Sequence, residues 1–262
     1  MSRFKLSCMQ VIAIAKNTYK EAIRSKIFYV LMAFAIAMLG FAVILSFLTI
    51  GSQKRVILDL GLAGISFFSV MTSIFVGIGL IYLEIEKKTI YNVLSKPLPR
   101  ASFIVGRYFG LMAVLGINLI AMLIILSIAL LFFKGFTPMI FYAGLFIYLE
   151  LAVITAIAIF FSSIASPVLS AICTLAFYLI GHTSSTFPEM LVPLLHNDIQ
   201  KKIALFFFHI LPDLSILNVS NLITYNIPIA PGFTIRGIIY AVLFSTLLIF
   251  AGCLFFKKRD LV

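Results

Sequence analysis

Two carboxylates, Glu84 and Glu86, close an apolar run, and Lys87 and Lys88 follow at once. Carboxylate pairs can act as general acid and base. Residues two apart on a helix, however, project to different sides, which disfavours a shared catalytic site. Contact with cationic side chains of a partner, or local pairing with Lys87, Lys88 and Arg107, suits this pair better. Glu150 is a different case, a lone carboxylate between Leu149 and Leu151 in the middle of another apolar run. An ionisable group at that depth in a bilayer is costly and is a functional candidate by default. It could face a polar passage, relay a proton, or be protonated and bonded to Ser, Thr or Tyr of a neighbouring helix. His182, His196 and His209 are spaced too widely for a compact metal site and are expected at or beyond the outer membrane face as ordinary polar residues. Ser184 and Ser185 follow His182 without a G-x-S-x-G elbow. No G-x-x-x-x-G-K-[ST] run occurs, so the chain is not expected to hold ATP in a phosphate loop. Cys8, Cys173 and Cys253 read as small buried side chains. The chain is expected to bind no metal or cofactor of its own.

The elements that must position these groups are membrane helices. Of the 262 residues, 63% are hydrophobic and 11% charged, too apolar for a soluble domain. Six runs of about 20 residues match the ~30 Å hydrocarbon core. They lie near 27–50, 58–83, 108–133, 139–161, 168–187 and 237–256. Each must be helical, because a lone strand in lipid leaves its backbone unpaired. The expected fold is an all-α integral membrane protein in a single transmembrane domain, 1–262. The net charge of +11 is distributed by side. With the N-terminus in the cytoplasm, fourteen Lys/Arg fall inside and six outside, and this bias places both termini in the cytoplasm. The basic balance therefore concerns topology and anionic lipid headgroups, with membrane lipids as partners and nucleic acid excluded.

Between the runs, residues 8–25 read as an amphipathic helix. Lys16, Asn17, Lys20, Glu21 and Arg24 share one stripe, and Val11, Ile12, Ala15, Tyr19, Ala22 and Ile23 share the other. Such a helix is expected to lie in the bilayer plane with its aliphatics toward lipid. With no Trp in the chain, Tyr29, Tyr82 and Tyr108 are expected at the headgroup level. The second run carries Gly61, Gly64, Gly77 and Gly79 among Ser66, Ser69, Thr72 and Ser73, suited to close helix packing within the chain or to a dimer interface. A six-residue link ending in Pro167 predicts a tight hairpin of spans four and five. The 188–235 segment, with five prolines, is expected outside. In it, 199–211 reads as a re-entrant or interfacial helix and 215–225 as a second short helix.

The long polar island on the cytoplasmic side carries the most specific pattern. Glu84-Ile-Glu86-Lys-Lys-Thr89 is followed by Ser95-Lys-Pro97-Leu-Pro-Arg100 and by Phe103-Ile-Val-Gly106-Arg107-Tyr-Phe-Gly110. A short helix stopped by Pro97 would carry Ile90, Val93 and Leu94 on one apolar face, which suits a docking groove. The pattern resembles the loop between spans two and three of type-2 ABC (ATP-binding-cassette) transporter permeases. There it reads roughly E-x-E-x-x-T, then S-x-P-[VIL]-x-R-x-x-[FYL], then G-[KR]-x-x-G. Lys87-Lys88 departs from the Lys-Gly or Arg-Gly of many members and stiffens the turn slightly. Leu211-Pro-Asp213-Leu-Ser215-Ile-Leu-Asn218 is also similar to a recurring stretch of the outer segment.

The resemblance implies an N-terminal elbow helix, six spans and a cytoplasmic coupling loop, 84–106. It implies that Glu84, Glu86, Thr89, Ile90, Val93, Leu94, Pro97 and Arg100 couple the permease to a separate ATPase dimer, which would carry ATP and Mg. It further implies a second permease copy or a homologous permease, export rather than import, and a bacterial or archaeal plasma membrane. Glu150 remains a possible passage or intramembrane polar site. Two other readings are a membrane anchor or sensor that recruits an ATPase without transporting, and an intramembrane enzyme. The enzyme would need Ser, Asp and His clustered at matched depths, and the sequence does not suggest such a cluster.

Overall fold

The computed structural model describes residues 2–49, 52–86, 100–184, 212–225, 227 and 232–258. Among them are eight α-helices, one 3₁₀ turn and no strand. They are α1 (Ser2–Arg24), α2 (Lys26–Leu48), α3 (Gln53–Glu86), α4 (Arg100–Phe132), α5 (Met139–Ile164), α6 (Pro167–Thr183), the turn Leu214–Leu217, α7 (Ser220–Thr224) and α8 (Phe233–Lys258). Five of these, α2, α3, α4, α5 and α8, are long and apolar enough to cross a bilayer. The chain is an all-α integral membrane protein that crosses the membrane several times. The fifth expected span is shorter than the sequence suggests. Helix α6 has 17 residues, at the lower limit for spanning, and ends at Thr183.

Helix α5 forms the axis of the bundle. It buries 17 of its 26 residues, whereas α2 buries five of 23. A helix that is apolar all round belongs in the interior, and α5 packs against α3, α4, α6 and α8. The outer helices instead leave apolar side chains on the surface. Phe34, Phe41 and Phe47 of α2 and Val242, Leu243, Leu247 and Phe250 of α8 are exposed, as lipid-facing positions should be. Helices α5 and α6 do form the expected hairpin. The Ala165 N–H donates to Phe161 O at 2.8 Å, and Pro167 opens α6, where its missing N–H costs nothing.

The two ends of the bundle are marked by contacts. At one end Gly135 packs on the Lys54 stem, Phe47 meets Phe133, and Arg55 stands over the Tyr225 ring. At the other end α1 lies on the start of α4, and Gly252 of α8 approaches Phe160 of α5. The expected second short helix resolves into two pieces, the 3₁₀ turn and α7. Both are tucked among the spans, with Leu214, Leu217, Val219 and Ile223 buried. Asp213 caps the turn by accepting from Ser215 N at 3.1 Å and Ser215 Oγ at 2.5 Å. The expected helix at 199–211 lies outside the described residues.

Three of the four glycines of α3 serve packing within the chain. A Cβ at Gly61 would meet Leu126, one at Gly64 Met38, and one at Gly77 Leu111, whereas Gly79 faces open space. The tightest approach is between α1 and α4. A Cβ at Gly106 would lie 2.8 Å from the Ile14 side chain and 3.0 Å from Val11 O. A Cβ at Gly110 would lie 2.6 Å from Ala15 O and from Thr18 Cβ. The G-x-x-x-G spacing thus lets two backbones touch, as small residues do between membrane helices. Positions 11–18 and 106–110 advance together, so α1 and α4 run side by side in the same direction. This corrects the apolar stripe expected to face lipid. Ala22 is fully buried, Ala15 is partly covered, and Thr18 is buried on the same face, while Ile12 stays exposed. Tyr108 is corrected as well. It is buried, and its hydroxyl donates to Ala152 O at 3.3 Å instead of sitting at the headgroup level.

Gly110→Ala is expected to destabilise the folded protein by about 1–3 kcal/mol, because the clash is with backbone that cannot rotate away. Gly40→Ala, with nothing within 4 Å, should be neutral or up to about 1 kcal/mol stabilising through helix propensity. Chemical unfolding of the two variants in mixed micelles checks the contrast. Equal stabilities would remove the steric account of the α1–α4 contact.

Candidate functional site

A buried polar cluster of the bundle is built on three helices. Glu150, 2% exposed, sits near the middle of α5. Its Oε1 lies 2.6 Å from His182 Nε2, one residue before the end of α6. Its Oε2 accepts a hydrogen bond from Ser66 Oγ of α3 at 3.1 Å. The antiparallel hairpin explains the meeting. Counting from the 165–166 link, Glu150 and His182 stand about equally far along their helices, at ~1.5 Å per residue. The Tyr178 ring packs edge-on against the His182 ring, centroids 4.7 Å apart, and its phenol stands beside Ser66.

This cluster is one station of a polar seam. Helix α6 carries Ser170, Thr174, Tyr178 and His182 at successive i+4 positions, a spacing that places them on one face. Ser170, Thr174 and Tyr178 are buried, while Val168, Leu169, Ile172 and Leu179 are exposed on the remaining surface. On α3, Ser66, Ser69 and Ser73 repeat at helical spacing toward the same interface, with Ser69 and Ser73 buried. Ser73 Oγ and Thr155 Oγ1 are 2.8 Å apart. Thr155 spends its single proton on Leu151 O at 2.6 Å, so Ser73 is the donor of that pair. The Ser170 and Thr174 hydroxyls donate to carbonyls of their own helix, Ser166 O at 2.8 Å and Ser170 O at 2.7 Å. The hydroxyls of Ser66, Ser73, Thr155, Ser170 and Thr174 are thus engaged, and the ionisable chemistry of the seam concentrates in Glu150 and His182.

The partner of Glu150 was not legible as such. His182 is expected at or beyond the outer face as an ordinary polar residue. It stands one residue before the end of α6 and contacts Glu150, and the neighbouring Gly181 is capped by Leu214 and Pro212 O of the tucked-in turn. The i+4 polar repeat of α6 is the sequence signal that pointed inward. Among the described residues no group of three metal-ligating side chains forms. His196 and His209 lie outside the described residues.

A second site lies where the bundle meets its polar island. Helix α3 continues through Glu84 to Glu86 without a break, and α4 begins at Arg100. The 84–106 segment, expected as a loop, is thus helical at both ends, 84–86 in α3 and 100–106 in α4, two helices of 34 and 33 residues that are longer than the hydrocarbon core requires. Thr89, Ile90, Val93, Leu94 and Pro97 lie outside the described residues. Arg107, expected as a local partner for Glu84 or Glu86, is buried and reaches Glu21 of α1 at 3.7 Å. Its guanidinium stands over the Phe103 ring at 5.2 Å from the centroid. Glu21 also accepts from Asn17 Nδ2 at 2.8 Å. The α1–α4 contact is thereby pinned beside the island by glycine packing and by an ion pair.

The model of the ABC-2 family transporter proteins matches residues 12–261 of this chain. The chain belongs to that family. No curated protein matches it. As an ABC-2 family member it is the membrane-spanning permease subunit of an ABC transporter, a transport protein. The match runs from α1 through the whole of α8, so the polar seam and the bracketed island both belong to the family domain.

Removing one partner of the Glu150 cluster should cost unequal amounts. Ser66→Ala should cost about 0.6 kcal/mol, a typical value for one hydrogen bond between membrane helices. His182→Leu should cost several-fold more, toward the ~3–5 kcal/mol of a buried pair broken on one side. A double-mutant cycle on positions 150 and 182, read by unfolding in bicelles, should give a coupling above that of positions 66 and 150. A coupling near zero for 150 and 182 would contradict the pairing.

Proposed function

We propose that this permease is an exporter subunit moved by a separate ATPase dimer that docks on residues 84–106. In this reading Glu84 and Glu86 offer negative charge to cationic groups of the ATPase. Ile90, Val93 and Leu94 fill its groove, Thr89 and Arg100 flank the contact, and Pro97 stops the short helix. The ATP and Mg belong to that partner. A second copy of this chain, or a homologous permease, completes the transporter. Closure of the ATPase dimer would shift the coupling segments, and the spans would pass between inward- and outward-open arrangements. The observation that carries the reading is the family match across residues 12–261. The helix boundaries support it. A segment held between two long rods hands its motion to the bundle interior, since α3 joins Glu86 to Ser66 without a break.

A matching topology has both termini in the cytoplasm of a bacterial or archaeal cell and 188–235 outside, supported by the fourteen-to-six split of Lys/Arg. The anchor or sensor reading shares the coupling segment but needs no polar seam. ATP-driven substrate movement in vesicles separates the two.

Two measurements test the proposal. In a chain with its three native cysteines replaced by serine, a membrane-impermeant thiol reagent applied outside should label Asn197→Cys and spare Asn92→Cys. The reverse pattern would invert the topology. Tagged permease carrying Glu86→Lys should recover far less ATPase than wild type, and less than Glu86→Gln, because reversal adds repulsion to lost attraction. Loss of one partner of a desolvated charge pair costs about 2–5 kcal/mol. Leu94→Asp should weaken recovery as well, while both variants still reach the membrane. Wild-type recovery by Glu86→Lys and by Leu94→Asp would sink the coupling assignment.

A further inference from the structure

We propose that the outward face of α1 is a binding surface for anionic phospholipid headgroups, built by Lys16, Lys20 and Arg24. The three stand at successive i+4 positions, so they share one stripe of the helix, and all are exposed. The opposite side of α1 is committed to the bundle. Thr18 and Ala22 are buried, and Ile14, Tyr19 and Ile23 pack with the core around Phe103 and Tyr108. The backbone contacts at Gly106 and Gly110 fix that side against α4, which turns the basic stripe away from it.

The stripe carries a charge that α1 does little to offset. Like charges four residues apart on a helix repel one another. The helix has a single carboxylate, Glu21, which reaches Arg107 at 3.7 Å and accepts from Asn17 Nδ2 at 2.8 Å. The neighbouring sequence adds positive charge. Lys26 opens α2, and residues 87–99 contain three lysines and no carboxylate. A negative ligand lying along Lys16, Lys20 and Arg24 relieves this repulsion.

Depth decides which anion it is. On α4 the exposed large apolar side chains begin at Phe109, between the two glycines that α1 touches, and continue through Ile117, Ile120 and Ile124. On α2 they begin at Ile27, three residues past Arg24, with Tyr29 and Val30 next. On α8 they end at Phe255, and Lys257 and Lys258 follow. Three helices thus set the border of the hydrocarbon at the level of α1, where the phosphates of the adjoining leaflet lie. The stripe itself points to a lipid. One step of four before Lys16 stands Ile12, exposed, with Met9 exposed a turn earlier. A phospholipid offers acyl carbon to such side chains and phosphate to the cations beside them, whereas a water-soluble polyanion offers only charge. Because α1 touches the α4 backbone, headgroups bound to α1 also fix the depth at which α4 begins.

The test uses the full wild-type permease in two nanodiscs, one of phosphatidylcholine and one of an equal mixture with phosphatidylglycerol. Lysines are acetylated briefly by a water-soluble ester and followed singly by mass spectrometry. Phosphatidylglycerol should slow acetylation of Lys16 and Lys20 several-fold, and that of Lys54 and Lys134, at the other end of the bundle, far less. A second measurement weighs the two lipids in competition for the detergent-purified permease. The triple variant Lys16→Gln, Lys20→Gln, Arg24→Gln should lose about fivefold of the wild-type preference for phosphatidylglycerol for each cation removed. Glutamine is a good helix former, so the variant should keep α1. Lys54→Gln, Arg55→Gln, Lys134→Gln removes the same charge and should keep the preference. Equal acetylation of Lys16 and Lys20 in the two nanodiscs, or equal slowing at both ends, would overturn the proposal. So would protection found only in native membranes with their proteins, which would assign the stripe to a protein partner. The footprint is read on the wild-type chain with no ATPase present, so its outcome and that of the coupling assignment are decided separately.

Discussion

A single carboxylate on the most deeply buried helix constrains much of this bundle. Helix α5 is enclosed by α3, α4, α6 and α8, and Glu150 is buried within that enclosure. Its lone pairs must be met by neighbours, and an unmet charge at that depth is among the costliest defects a membrane protein can carry. Ser66 and His182 meet it, from two different helices. The polar face of α6 and the serine repeat of α3 follow the same logic. Hydroxyls line the interface where α3, α5 and α6 converge, and the apolar side chains of α6 turn outward.

The end of the bundle that carries the polar island solves a different problem. Two long rods, α3 and α4, bracket the polar island, and their ends must be held for any force applied there to reach the membrane. Glycine contacts do this for α4. Gly106 and Gly110 let α1 touch its backbone, and Arg107 between them closes the contact with Glu21. The G-[KR]-x-x-G pattern thus combines close packing and an ion pair within one turn. Backbone-to-backbone contact suits this position, because lipid gives two apolar faces little reason to associate and packing must supply the attachment.

The two ends are joined by α3. It carries Ser66 at the Glu150 cluster and Glu84 and Glu86 at the island on one uninterrupted helix. A rod of 34 residues is about 51 Å long, so a displacement at one end is delivered to the other without a hinge. Beside it, α6 is short and exposed on its lipid side, and the Glu150–His182 contact and the Gly181–Leu214 packing hold its far end.

The sequence by itself determined the membrane class, the helical runs, the α5–α6 hairpin and the family resemblance. Each of these is a one-dimensional signal. Apolar length must match the bilayer, Pro167 must open a helix, and the polar island is contiguous in the chain. Glu150 also stood out alone, because any ionisable group in such a run does. What only the tertiary structure decided is who meets whom. His182 lies 32 residues from Glu150 and Ser66 lies 84 away, and no local pattern encodes those distances. Tyr108 and the α1 stripe were misplaced for the same reason. Amphipathic spacing says that a face is apolar, but lipid and a neighbouring helix are equally apolar, so hydropathy cannot choose between them. That choice is made by shape, here by the absence of a Cβ at Gly106 and Gly110.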